Sequence, residues 1–201
     1  MRRRPLILSL CSLATLVLVA GCGADKPSPE RAFLSAMVPH HRSAVEMANA
    51  AQGRLADPKI REIQDAIAKT QEAEIGQMQR IHQRLFDEPL EPNDGAHMQL
   101  GLSAQEAGMD HMDGATSVGQ SPPPADRAFI AEMVPHHRGA VAMAQAVLAD
   151  TPDGELRKLA EEIVSAQRRE IATMEKVRER RYAGPVTEGA GAGGRGRESL
   201  G

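Results

Sequence analysis

The sequence predicts an all-α protein: a four-helix bundle built from two repeated helical hairpins. Three observations predict it. The first is an internal repeat. Met37-Val38-Pro39-His40-His41-Arg42 recurs as Met133-Val134-Pro135-His136-His137-Arg138, 96 positions later, and the register holds without a gap well beyond the phrase. Arg31-Ala32-Phe33 matches Arg127-Ala128-Phe129, and Ile67, Gln71, Glu74, Ile75 and Met78 match Ile163, Gln167, Glu170, Ile171 and Met174. A unit of roughly 55 residues is therefore used twice, and a repeat of this size is one supersecondary unit that stacks on its copy. The second observation is the palette. Aromatics make up 2% of the chain, so the core must come from Ala, Ile, Leu, Val and Met, which suits helix–helix packing and not strands. The third is spacing, because apolar positions step by three and four along each repeat.

The chain opens with a segment read as outside the fold. Arg2-Arg3-Arg4 is a positive n-region, and Leu6 to Ala20 is an apolar run too short for a comfortable membrane span. Val19-Ala20-Gly21-Cys22 resembles a bacterial lipobox, so residues 1–22 are expected to be a lipoprotein signal peptide. By that resemblance the signal is cut before Cys22, which is then acylated (palmitate included), and the protein sits lipid-anchored on the extracytoplasmic face of the bacterial cell membrane. Loss of the three arginines moves the formal charge from −3 to −6. An acidic chain with almost no aromatics is a poor match for nucleic acid, which is excluded as a partner. Of the two cysteines, Cys11 leaves with the signal and Cys22 is lipidated, so neither a disulfide nor a thiolate metal site is expected.

Residues 23–29 form a polar tether. Ser28-Pro29 reads as an N-cap followed by Pro at the first helical position. A first helix runs to about Gln52, with Phe33, Met37, Ala44 and Ala48 on one face and Pro39 inside a kinked but continuous rod. Asp57-Pro58 starts a second helix, to Phe86, whose seam is Ile60, Ile63, Ile67, Gln71, Glu74, Met78, Ile81 and Leu85. Residues 30–86 thus form the first hairpin. Residues 87–125 are a linker in which Ser103-Ala104-Gln105-Glu106 is a capping-box pattern opening a short helix to about Met112. The proline-rich stretch from Asp113 is read as loop. Residues 126–182 repeat the hairpin, with Thr151-Pro152 starting its second helix. The Gly-rich tail, 183–201, is expected to be disordered. The pattern leaves open how the hairpins pair.

The chemistry lies in the polar interruptions of the seams. A polar side chain in a bundle interior destabilises it unless it is paired. Each repeat places a Gln and a Glu in the seam of its second helix and two His beside the seam of its first. Helical spacing puts Met37 and Met47 on the side of His40 and His41, and Glu74 and Met78 face inward. Packed seams would bring thioether, imidazole and carboxylate to one place per repeat. The second repeat offers His136, His137, Met133, Met143, Glu170 and Met174 in the same way. Thioether with imidazole suits soft or borderline ions, copper above all. The linker adds His97-Met98 and Met109-Asp110-His111-Met112, either as a secondary exposed site or as a loop that touches the bundle.

Plainer roles exist for the same residues. Methionines at helical spacing are commonly core filler, and a buried His–Glu pair is commonly a structural hydrogen bond. His82 has Arg178 as its counterpart in the second repeat and reads as a surface residue. Glu46 has Ala142 as its counterpart and belongs to no shared site, and Arg42 and Arg138 read as solvent-facing or as partners of Glu.

The stretches Phe33–Ala48 and Phe129–Ala144, with Gln71-x-x-Glu74-Ile75-x-x-Met78 and its copy, resemble the signature of the domain of unknown function 305 family. The resemblance covers about Glu30 to Arg181. It implies a ferritin-like helical bundle, usually exported, and copper binding of the kind found in some periplasmic members. The linker here is sparser in Met and His than in richer members. Three functions compete on this reading. They are a membrane-anchored metal-binding protein that sequesters copper, a metal-free scaffold or interaction module, and a ferritin-like metal oxidase. The oxidase fits worst, because its site wants Glu-x-x-His motifs and no Glu stands three residues before any His. No catalytic nucleophile or phosphate loop is present. Oligomeric state is not legible.

Overall fold

The computed structural model describes residues 28–182. The expected signal peptide, Cys22, most of the tether and the tail lie outside the described residues. Within them the fold is helical, and no strand is present. Helix α1 spans Pro29–Ala51 and α2 spans Pro58–Phe86. A short α3 covers Gly114–Gln120, α4 spans Asp126–Asp150 and α5 spans Gly154–Tyr182. Two 3-10 turns, Asp94–Leu100 and Met109–His111, lie in the linker.

The caps explain the helix starts. Ser28 Oγ accepts from the Arg31 amide at 3.1 Å, and Asp57 Oδ1 accepts from the Lys59 amide at 2.8 Å. Helix α1 runs continuously through Pro39. Proline has no N–H to give the carbonyl four residues back, which is that of Ser35. The Asn93 amide of the linker donates to that carbonyl instead, at 2.9 Å. The linker is thus fitted to the gap that the proline opens.

Two linker details differ from expectation. The capping box forms as predicted: the Ser103 amide and hydroxyl both donate to Glu106 Oε2, at 2.9 and 2.7 Å, and the Glu106 amide donates back to Ser103 Oγ at 3.2 Å. It nevertheless opens only one turn, because Gly108 turns left-handed at φ 66° and ends it. Helix α3 instead forms where loop was expected. The start of α5 also shifts by two residues, to Gly154, where Asp153 Oδ1 accepts from the Leu156 amide at 2.9 Å.

Helices α1 and α2 form one hairpin, α4 and α5 the other. Between the hairpins, α1 lies on α4 and α2 on α5. The apolar interior divides into two clusters. One joins Phe33, Leu34 and Met37 from the start of α1 to Met143 and Val147 from the end of α4 and Leu156 and Ile163 from α5. The other joins Met47 and Ala51 from the end of α1 to Phe129 and Met133 from the start of α4 and Ile60 and Ile67 from α2. The start of each first helix therefore meets the end of the other, so α1 and α4 run antiparallel about a pseudo-two-fold axis.

The repeat also supplies matched clasps at the two ends. Arg84 of α2 forks onto Asp153, with 2.9 and 2.8 Å contacts. At the other end Arg180 and Arg181 of α5 meet buried Asp57 at 3.0 and 2.7 Å. Asp57 and Asp153 are repeat partners, as are Arg84 and Arg180. Buried Asp126, opening α4, accepts from the Ala56 and Asp57 amides at 2.8 Å each, which ties the first hairpin's turn to the second hairpin.

Candidate metal centre

Between the two apolar clusters lies a polar layer. The His-His phrases sit mid-way along α1 and α4. Because those helices cross antiparallel, their midpoints meet. His40 and His136 come together across the pseudo-axis, with ring centroids 3.7 Å apart and planes tilted by 33°. His41 and His137 lie outside this pair, and the His136 and His137 centroids are 6.5 Å apart. All four side chains are buried, at 0 or 1% exposure.

Two of the four are anchored. His41 Nε2 donates to Glu74 Oε2 at 2.8 Å, and His137 Nε2 donates to Glu170 Oε2 at 2.8 Å. Each carboxylate stands on the seam of the hairpin's second helix, as the spacing predicts, and each is about one-fifth exposed. The remaining nitrogens are unpartnered. Both ring nitrogens of His40 and of His136, and Nδ1 of His41 and of His137, have no hydrogen-bond partner among the described residues. The same holds for the Oε1 atoms of Gln71 and Gln167. Buried polar atoms are normally satisfied, so a cluster of orphans asks for a cause.

Burial drives the pKa of His40 well below the ordinary imidazole range, and the nearby His41 and His137 push it the same way. The carbonyls of Ala107 and His136 lean toward the ring and oppose that shift without reaching hydrogen-bond geometry. His136 is lowered likewise, first by burial and then by His40 and His137. Both rings are therefore neutral near pH 7, the form in which imidazole ligates metals.

The linker closes over this layer. Ala107 and Gly108 press on α4 so closely that a Cβ on Gly139 would stand 2.2 Å from the Ala107 carbonyl carbon. A Cβ on Gly108 would stand 3.0 Å from the His136 carbonyl oxygen. On the α1 side, at the position matching Gly139, Ser43 Oγ donates to the Met112 carbonyl at 2.9 Å. Small residues directly after Arg42 and Arg138 were the sequence signal for this crossing, and only contact gives it meaning.

The six helix methionines are fully buried, but they group across the repeats. Met37 and Met78 share a cluster with Met143, and Met133 and Met174 share one with Met47. The pattern expected imidazole, carboxylate and thioether in one place per repeat. The structure brings imidazole to carboxylate, but it places Met47 at the opposite end of the bundle from Met37 and Met78, and Met143 at the opposite end from Met133 and Met174. Met47 Sδ lies under the linker, 2.4 Å from where a Gly114 Cβ would be. As the side chains stand, no group of three or more His, Cys, Asp or Glu among the described residues is set to hold an ion.

The linker donors touch the bundle and do not form one exposed array. His97 is buried, with Nδ1 donating to the Leu102 carbonyl at 2.8 Å, while the adjacent Met98 is 69% exposed. Met109 packs against the first cluster. His111 is partly exposed and its Nδ1 faces Glu132 Oε2 at 3.1 Å, a partner sequence reasoning missed because Glu132 matches Ala36 in the first repeat. Met112 is half-buried and supplies the carbonyl to Ser43.

His82 needs a correction, since it is buried and not on the surface. The chain reverses at Asp87, with φ 52°, and lays the Glu88 carbonyl over the ring, where His82 Nδ1 donates at 3.1 Å. Burial, with the charge of Arg31, lowers its pKa. Arg138 does pair with a glutamate, Glu175, at 2.5 Å, and Arg42 is exposed.

Comparison with known proteins extends these observations. The family model described as a domain of unknown function (DUF305) matches residues 30–178. A DUF305 fragment from Deinococcus radiodurans is 31% identical, with a TM-score of 0.62, over 77% of this chain and 98% of that one. A DUF305 protein from Streptomyces coelicolor is 27% identical, with a TM-score of 0.67, over 78% and 96%. CopM in its Cu(I)-bound form is 28% identical, with a TM-score of 0.61, over 77% and 98%. CopM structures also exist in Cu(II)-bound, Ag-bound and apo forms. Among curated proteins, none matches.

Proposed function

The chain belongs to the DUF305 family, and from that premise we propose that it is a membrane-anchored, extracytoplasmic protein that binds and sequesters copper through its histidine layer and the methionines around it. The observation that carries this reading is the set of orphaned imidazole nitrogens. Six buried ring nitrogens lack partners among the described residues. A layer that only held helices together would be more stable with those groups paired or replaced by apolar side chains.

The donor chemistry supports it. Neutral imidazole and thioether are the soft and borderline donors that copper accepts, and no thiolate is needed. His41 and His137 each give one N–H to a carboxylate, which fixes the ring and leaves Nδ1 as the nitrogen free to ligate. CopM, similar over most of this chain, has been seen with Cu(I), Cu(II) and silver. Binding and holding an ion requires no reaction, so no enzyme activity is assigned. The lipobox-like Val19-Ala20-Gly21-Cys22 supports the anchor.

A second reading has one observation in its favour. The 2.8 Å His–Glu pairs are also what a metal-free scaffold would use to fix its helices. The chain freed of residues 1–22 should be titrated with Cu(I) under reducing conditions, beside a variant with His40, His41, His136 and His137 all changed to Ala. Loss of tight binding in the variant supports the copper reading. Unchanged stoichiometry and affinity would remove it, and no binding by the parent chain together with a large fall in the variant's melting temperature would favour the scaffold. For the anchor, Cys22→Ser should release the protein from the membrane fraction and abolish palmitate labelling; retention of both would refute it.

A further inference from the structure

We infer that the two repeats do not hold one ion each, but share a single centre on the pseudo-two-fold axis, with His40 and His136 as its ligands from opposite repeats. This rests on the copper reading above and sharpens it. The repeat itself suggests two equivalent sites, one per hairpin. The placement of the orphaned nitrogens says otherwise. His40 and His136 carry both ring nitrogens free, and their nearest aromatic neighbours are each other, at 3.7 Å. The outer rings, His41 and His137, are already committed at Nε2 to Glu74 and Glu170.

The close approach of the inner rings disfavours two independent centres built on them. Two cations held on rings whose centroids are 3.7 Å apart would repel each other in a layer buried from solvent. One cation there is attracted to both. The outer pair then has a separate task. Glu74 and Glu170 are positioning residues, which hold His41 and His137 and set the spacing of the two helices within each hairpin beside the centre. A monovalent soft ion suits this arrangement best, because burial of the whole layer penalises each added charge.

The test uses Ag(I) as a redox-inert probe and the chain without residues 1–22. The parent should bind one ion per chain tightly. In the ¹⁵N spectrum of the imidazoles, His40 and His136 should shift together and saturate at one equivalent. His40→Ala alone, and His136→Ala alone, should each lower affinity at least 100-fold and leave no tight site. Glu74→Gln should keep the stoichiometry and weaken binding less than either. Saturation at two equivalents, with the two rings shifting independently, overturns the inference and leaves the copper reading intact. So does a His40→Ala variant that retains one ion at the parent affinity. No binding by the parent sinks the copper reading itself. The parent spectrum decides the matter even if a variant fails to fold.

Discussion

Replacing both inner histidines with leucine should make the ion-free protein more stable while abolishing its response to the ion. Each neutral ring buries one N–H and one bare nitrogen with no partner among the described residues. An unpaired buried polar group destabilises by roughly 1–3 kcal/mol; counting only the N–H of each ring, the two rings together cost about 2–6 kcal/mol. Against this stands the loss of the ring–ring contact at 3.7 Å, about 0.5–1.5 kcal/mol. Imperfect fit of leucine in an imidazole-shaped space costs up to about 1.5 kcal/mol per site. The balance is a gain on the order of 1–2 kcal/mol for His40→Leu with His136→Leu. With a urea slope of about 1–3 kcal/mol per molar, the midpoint should rise by roughly 0.5–1 M in chelator-treated protein. Silver at a hundredfold excess over its dissociation constant should stabilise the parent by about 2.7 kcal/mol and the variant not at all. A double variant that is less stable than the parent by more than about 1 kcal/mol without metal would show that the inner nitrogens are satisfied, and the argument would fall.

Other consequences concern pH and packing. His40, His136 and His82 all have lowered pKa values in the fold, so the unfolded chain binds more protons below about pH 6.5. Stability should therefore fall as pH drops from 6.5 toward the folded values, by up to about 1.4 kcal/mol per pH unit per ring, and the double leucine variant should keep only the His82 share. An equal acid slope in parent and variant would contradict this. The Asp57 carboxylate is held below its usual range. Burial works to raise it, but the Lys59 amide and the Arg181 and Arg180 guanidiniums outweigh that. Its contribution is present above about pH 3.9 and lost as pH falls through the lower folded value. Asp57→Asn, which still caps α2, should destabilise by about 1 kcal/mol at pH 7 and progressively less as pH falls through the lowered folded value; a deficit independent of pH would tell against the clasp. Gly139→Ala must push against the Ala107 backbone and should destabilise by about 1–3 kcal/mol in thermal melts. Gly154→Ala meets nothing within 4 Å and should be neutral or stabilising by about 0.5–1 kcal/mol; similar effects at both glycines would mean that the linker does not press on α4.

The long helices were legible because their causes are local. Asp57-Pro58 and the three-and-four apolar step place α2 at Pro58–Phe86, the bounds observed. The pairing of His41 with Glu74 was legible too, since a hairpin that packs its seams must bring those positions together. The 103–106 capping box forms, but it starts no helix beyond one turn. One left-handed glycine at 108 outweighs it, and no local pattern announces which way a glycine turns. His82 was misplaced because its cover, the Glu88 carbonyl, arrives only after the chain reverses.

By itself the sequence determined the helices, their buried faces and the doubling of the unit, all of which follow from spacing along one chain. Only the tertiary structure decided that α1 lies antiparallel on α4, that the methionines group across the repeats, and that His40 meets His136 on an axis belonging to neither repeat. Two identical seams can satisfy each other in more than one arrangement with the same local pattern. The choice among arrangements is made by contacts between distant residues: the Arg84–Asp153 and Arg180–Asp57 clasps, the linker amide on Ser35, and the close fit of Gly139 against Ala107.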